Sequence, residues 1–154
     1  MTPAVQQLKK QAVDFKLHRY KHDANESSYG KEAAEKLKIN INQVFKTLVV
    51  QTENERLAVV IIPVNQQLNL KAAAKALKSK KIQMAAAQQV EKSTGYVLGG
   101  ISPIGQKKTL VTLLDNRALN FITIFISGGK RGLEIEITPQ DLLKVTQAEI
   151  VSLA

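Results

Sequence analysis

"KTLVVQTENERLAVVIIPV", Lys46 to Val64, holds two apolar runs rich in β-branched residues, Lys46–Thr52 and Arg56–Val64, parted by three polar positions. Such side chains suit a pleated, half-buried surface, so both runs read as central strands. Helical stretches lie on either side. Toward the amino end, "GKEAAEKLK" from Gly30 reads as a helix. Before it, "DFKLHRYKH" (Asp14–His22) alternates, with Phe15 and Leu17 on one face and His18, Tyr20 and His22 on the other. Thr2 followed by Pro3 predicts a capped helix ending near Gln11. Toward the carboxyl end, Asn69 caps a predicted helix through Lys78, and "AAAQQVEKS" predicts another that stops at Gly95.

"TLVTLLD", "FITIFIS" and "LEIEI" then read as strands, the last two forming a hairpin around Gly128-Gly129. Thr138-Pro139 starts a helix toward Val145, and "AEIVSL" fits either helix or strand. Strands and helices mix without regular βαβ alternation. The expected architecture is mixed α/β (α+β): a single domain, residues 1–154, with a curved, partly barrel-like mixed sheet flanked by helices. A doubly wound parallel sheet fits less well. No linker, internal repeat or coiled-coil heptad interrupts the chain.

The hydrophobic fraction of 44% and charged fraction of 23% are those of an ordinary globular protein. The chain has no cysteine, which removes disulfides, thiolate nucleophiles and cysteine-ligated metals. Lys9, Lys10 and Asp14 interrupt the amino-terminal stretch, which lacks the apolar core of a signal peptide, and Leu57–Val64 is far below the roughly 20 residues that span a bilayer. A soluble, cytoplasmic protein with no membrane partner is the expectation.

The net charge is +9, and it is unevenly placed. Between Arg56 and Leu133 there are twelve Lys or Arg and only two acids, Glu91 and Asp115. That stretch suggests a polyanionic partner. Lys71, Lys75 and Lys78 fall at i, i+4 and i+7 of the helix capped by Asn69, so they share one face, a cationic stripe that is the candidate contact for a polyanion's backbone. The competing reading of such a stripe is a solvated lysine surface.

All but one of the eight glycines lie in two short loops within this basic stretch, "GYVLGGISPIGQ" (Gly95–Gln106) and "SGGKRG" (Ser127–Gly132). Gly100 and Gly105 are spaced as in a phosphate-binding P-loop, but Gln106 stands where that motif needs lysine. Ile104 stands where a nucleophile elbow built on Ser102 would need glycine. His18 and His22, on a strand, would lie about 13 Å apart and could not share one ion. No metal and no cofactor is implied. What remains is a site of backbone amides, hydroxyls and lysine, able to stabilise charge on a reacting carbonyl without supplying a nucleophile.

"GYVLGGISPIGQKK" and "SGGKRG", with "FKTLVV" at Phe45–Val50 and "MTPAV" at the start, closely resemble the YbaK-type Cys-tRNA(Pro) deacylases, free-standing relatives of the editing domain of bacterial prolyl-tRNA synthetases. The resemblance runs over essentially the whole chain. It implies an aminoacyl-tRNA deacylase acting on tRNA(Pro) wrongly charged with cysteine, in which the substrate's own thiol attacks the ester and leaves as a cysteine thiolactone. It also implies prolyl-tRNA synthetase as a partner in a transient ternary complex.

Carried over by position, the resemblance gives Lys46 contact with the acceptor-end sugar, phosphate or ester oxygens. Gly99 and Gly100 supply amides near the carbonyl. Tyr20, Tyr29, Ile101, Ser127, Gly128 and Glu134 become the substrate-binding set. Tyr29 stands where the family pattern has phenylalanine, and Glu134 where it has aspartate or another polar residue. Two other readings stay open: a deacylase that positions water against another small aminoacyl ester, and a non-catalytic tRNA- or synthetase-binding module.

Overall fold

A computed structural model describes residues 1–154. Thr2 caps α1 (Pro3–Lys10), its hydroxyl accepting from the Val5 amide at 3.3 Å. β1 (Lys16–Arg19) and α2 (Tyr29–Leu37) precede the two apolar runs, which form β2 (Phe45–Thr52) and β3 (Leu57–Pro63). α3 (Leu70–Ala76) follows, with Asn69 as its cap, then a short β4 (Ile82–Met84) and α4 (Ala87–Thr94), ended by Gly95 in the left-handed conformation. β5 (Val111–Asp115), β6 (Ile124–Ser127), β7 (Leu133–Ile137), α5 (Pro139–Thr146) and β8 (Glu149–Val151) complete the order.

The expected single curved sheet is divided in two. Five strands run β4-β2-β3-β5-β8, antiparallel through β3 and parallel beyond it, while β1-β7-β6 form a separate antiparallel sheet. One parallel bridge, Val44 to Phe125, joins them, and no barrel closes. β4 pairs only with Val50–Thr52, which leaves Phe45–Leu48 without a strand partner on that side of β2.

The inner faces of both sheets share one core. Val49, Val59, Ile61 and Leu114 meet Ile124, Ile126, Ile135 and Ile137, closed by Leu8 of α1, Val90 of α4 and Leu142 of α5. Fully burying each such side chain contributes about 1.5–3 kcal/mol. The other face of the five-stranded sheet, with Val50, Val60, Ile62 and Leu113, packs on Ala73 of α3 and on Leu153. The outer face of the small sheet is different. Alternation puts His18, Ser127, Glu134 and Glu136 on it, with Phe125 the apolar member that meets Ala34 of α2.

The three lysines of the predicted stripe do not all share a helix. α3 stops at Ala76, and Lys78 has a left-handed φ of 55° beyond its end, where the Ser79 amide bonds the Ala74 carbonyl. Lys71 and Lys75 remain one exposed turn apart. The segment that fitted helix or strand is a strand, β8, because it docks in parallel against β5.

Candidate active site

Where the polar face of the small sheet meets the unpartnered start of β2, a cavity of about 380 Å³ opens. Lys46, Thr47 and Leu48 come from β2, Tyr20, Ser127 and Glu134 from the small sheet and its flank, and Ser28–Lys31 from the start of α2. Leu98, Gly99 and Ile101 close it from the first glycine loop, Lys130 and Arg131 from the second.

The glycine loops are built structures. The Tyr96 hydroxyl donates to the Ile104 carbonyl at 2.6 Å, and the Lys107 and Lys108 amides return to the Thr94 and Ser93 carbonyls. Gly99 sits at φ +90°, and a β-carbon there would lie 2.6 Å from the Tyr29 ring and 2.7 Å from Nε of Arg131. Gly100 is under the same pressure from the other loop, with Lys130 Cα 2.8 Å from where its β-carbon would be. Only glycine lets the two loops and α2 close together at that point.

Arg131 ties the rim. Its guanidinium lies 4.2 Å over the Tyr29 ring and donates to the Leu98 carbonyl at 3.3 Å. Behind Tyr29, the buried Glu32 carboxylate accepts from His22 Nδ1 (2.5 Å), the Asp23 amide (2.8 Å) and Lys36 Nζ (2.9 Å). Burial alone would raise the Glu32 carboxyl, but these three donors outweigh it and hold it down to about 2. The loop from β1 to α2 is thereby fixed as a wall.

Lys46, Glu134 and Thr47 face the cavity with no side-chain hydrogen bond or ion pair of their own. Burial, with a smaller push from the Lys31 charge, lowers the Lys46 ammonium from its usual range. The Glu134 side chain is 7% exposed and makes no hydrogen bond, and burial pushes its carboxyl up to about 8, so it is neutral at pH 7. Thr47 Oγ1 is buried with no partner. Tyr20 stands beside Glu134, its phenol raised to about 12 by burial and then by that carboxylate's charge.

Over residues 24–145 the chain matches the family model for the aminoacyl-tRNA editing domain. The chain belongs to that family. It is 36% identical over 152 residues to EbsC of Enterococcus faecalis (strain ATCC 700802 / V583), named as a candidate Cys-tRNA(Pro)/Cys-tRNA(Cys) deacylase, covering 99% of this chain and 92% of EbsC. It is 24% identical over 119 residues to YwhH of Bacillus subtilis (strain 168), covering 77% of this chain and 75% of YwhH. The fold matches that of a candidate trans-editing enzyme for prolyl-tRNA synthetase with a TM-score of 0.86 at 23% identity, covering 99% and 98% of the two chains. Membership gives the enzyme class, an aminoacyl-tRNA deacylase.

In this editing domain Lys46, Gly99, Tyr20, Tyr29, Ile101, Ser127 and Glu134 line one cavity. Gly100 and Gly128 stand behind it. Gly100 provides the close approach of the loops, and the space beside Gly128 is taken by the Leu133 side chain, 2.6 Å from where a β-carbon would be. Ser127 also ties its own turn, its hydroxyl accepting from the Gly129 amide at 3.1 Å. Lys71, Lys75 and Lys78 lie outside the cavity, although Lys46 and α3 belong to the same face of the large sheet, since Lys46, Leu48 and Val50 alternate onto it. His18 and His22 pair with different carboxylates, Glu136 at 2.8 Å and Glu32.

Sequence reasoning passed over Thr47, Lys31 and Arg131. Thr47 had a signal, a hydroxyl on the core-facing side of a strand between Phe45 and Val49. Lys31 had none and Arg131 only its place in "SGGKRG", because their position at the cavity depends on how α2 and the two loops meet.

Proposed function

We propose that this editing domain removes cysteine from Cys-tRNA(Pro), with Cys-tRNA(Cys) as a further substrate, and that the thiol of the bound cysteine is the nucleophile. The sulfur attacks the ester carbonyl, the carbon–oxygen bond to the ribose breaks, and the thiol proton ends on the ribose oxygen. The products are a cysteine thiolactone and tRNA with a free hydroxyl. One observation carries this reading: the cavity holds donors but no activated nucleophile. Neither histidine lines it, the chain has no cysteine, and Ser127, whose hydroxyl is held in its own turn, has as its cross-strand neighbour only Glu134, a carboxyl that burial keeps protonated at pH 7.

Within that reaction Lys46 contacts the acceptor-end sugar, phosphate or ester oxygens, and the amides of the Gly99–Gly100 loop face the oxyanion that develops on the carbonyl. Neutral Glu134 and the Thr47 hydroxyl supply hydrogen bonds at the amino-acid end. Tyr20, Tyr29 and Ile101 shape the walls. The name of EbsC supports the cysteinyl substrate. The resemblance to synthetase-associated editing proteins supports prolyl-tRNA synthetase as the partner that selects tRNA(Pro) in a transient ternary complex, with Lys71, Lys75 and Lys78 along the tRNA backbone.

Comparing cysteinyl with seryl and alanyl esters on the same tRNA tests the mechanism. Thiol attack requires large loss with serine, whose hydroxyl is a much weaker nucleophile. Equal rates on cysteine and alanine would mean that the protein positions water instead, and tight, salt-sensitive tRNA binding without any turnover would mean a binding module.

A further inference from the structure

Four cationic side chains line the cavity, Lys31, Lys46, Lys130 and Arg131, and the one carboxyl among the lining residues is Glu134, which burial keeps neutral at pH 7. Arg131 is committed to the Tyr29 ring and the Leu98 carbonyl. Lys31, Lys46 and Lys130 are committed to nothing. None takes part in any of the four ion pairs of the protein, and of the three it is the charge of Lys31 that bears on Lys46. Three uncompensated cations around one cavity are stable only at a cost that an anion would remove.

Before reaction, the ester end of an aminoacyl-tRNA holds no fixed anion. Its amino group carries no negative charge, the ester, ribose and adenine are neutral, and charge on the sulfur and the carbonyl oxygen develops only as the thiol attacks. The nearest negative charge is the phosphodiester on the 5′ side of the terminal adenosine. α2 begins at the cavity on the Lys31 side: Ser28 to Lys31 all line it and the Ser28 hydroxyl caps nothing, while the Ser28 amide is taken by Glu26 Oε1 at 2.8 Å and the first-turn carboxylate, Glu32, is turned to His22, Asp23 and Lys36. The unpartnered groups deeper in, Glu134 and Thr47 Oγ1, mark the same cavity as one that receives a polar ligand.

We propose that Lys31, together with Lys46 at the start of β2, binds this terminal phosphodiester, so that the enzyme selects aminoacyl esters carried on an oligonucleotide over those of a free nucleoside. The site would take any aminoacylated 3′ end with one internucleotide phosphate. This rests on the aminoacyl-ester reading above and adds a determinant that the amino acid does not supply.

The test compares kcat/KM for cysteinyl-adenosine with that for the cysteinyl ester of the dinucleotide CpA, in the full chain and in Lys31→Ala and Lys31→Arg. The wild type should prefer the dinucleotide by about tenfold or more, the value of one charge-assisted contact. Lys31→Ala should bring the ratio down toward one, and Lys31→Arg should restore most of it. A wild type without preference, or a preference that Lys31→Ala leaves intact, overturns the proposal.

A second measurement stands apart from turnover. Binding of uncharged CCA trinucleotide should lose about 0.7 from its log–log salt slope in Lys31→Ala, one phosphate contact on a single strand. An unchanged slope overturns the phosphate site whatever the catalytic result. Failure of the wild type to cleave either ester, with the slope change present, would instead remove the deacylase reading and leave the phosphate site standing.

Discussion

The two sheets of this domain use the same strand alternation to opposite ends. The five-stranded sheet buries both faces, one on the shared core and one on α3, and its side chains there are almost wholly aliphatic. The three-stranded sheet buries one face and gives the other to His18, Ser127, Glu134 and Glu136, on which α2 can seal only the Phe125 end. The cavity opens where that polar face meets a stretch of the large sheet without a strand partner on one side, the start of β2. Stability and chemistry are thus divided between the layers, and substitutions should separate them.

The largest effect on folding should come from the large sheet. Leu113 is fully buried between the sheet and α3, so Leu113→Ala should cost about 2–5 kcal/mol in chemical denaturation, with little change in turnover per folded molecule. A comparable loss of turnover would mean that the two layers are not separable.

Lys46→Ala should do the reverse. Removing one preorganised donor commonly lowers kcat by about a hundredfold, and the melting temperature should hold or rise because burial disfavours the Lys46 charge. Wild-type turnover in this variant would remove Lys46 from the site.

Glu134 sharpens the comparison through pH. Its folded carboxyl titrates at about 8 and its unfolded one near the ordinary glutamate value of about 4.5, so the folded state holds an extra proton between them. Stability from this group is therefore full below about pH 4.5 and falls as pH rises to 8. Glu134→Gln should remove that loss, gaining on the order of 4 kcal/mol at pH 8 and under about 1 kcal/mol at pH 5. An equal effect at both pH values would show that the carboxyl is not neutral in the fold.

The smallest effect belongs to the exposed lysines. Reversing Lys71, Lys75 and Lys78 to glutamate should weaken tRNA binding several-fold at low salt and less at high salt, with no change in stability beyond about 0.5 kcal/mol. Unchanged binding would take α3 out of the tRNA path.

Most of the large sheet was legible because its information is local. The β-branched runs of β2 and β3, the Thr2, Asn69 and Thr138 caps, and the left-handed Gly95 are properties of a few adjacent residues. β4 was not legible, since Ile82–Met84 is a strand only because β2 offers it an edge. The division into two sheets was equally hidden, because a single bridge at Val44 decides it. In the site, the glycines announced themselves by their clustering and Lys46 by its motif. Lys31 and Arg131 did not: Arg131 matters because Gly99 lets it reach Tyr29, a contact between residues distant in sequence.

The central claim is that the cavity cleaves an ester with a nucleophile that arrives on the substrate. Single-turnover release of amino acid from Cys-tRNA(Pro), with Ser-tRNA(Pro) and Ala-tRNA(Pro) in parallel and Lys46→Ala as control, tests it most directly. The expected result is release from the cysteinyl ester alone, dependent on Lys46, with a thiolactone as the first product. Release from the alanyl ester at a similar rate would contradict it, because alanine has no group that could attack.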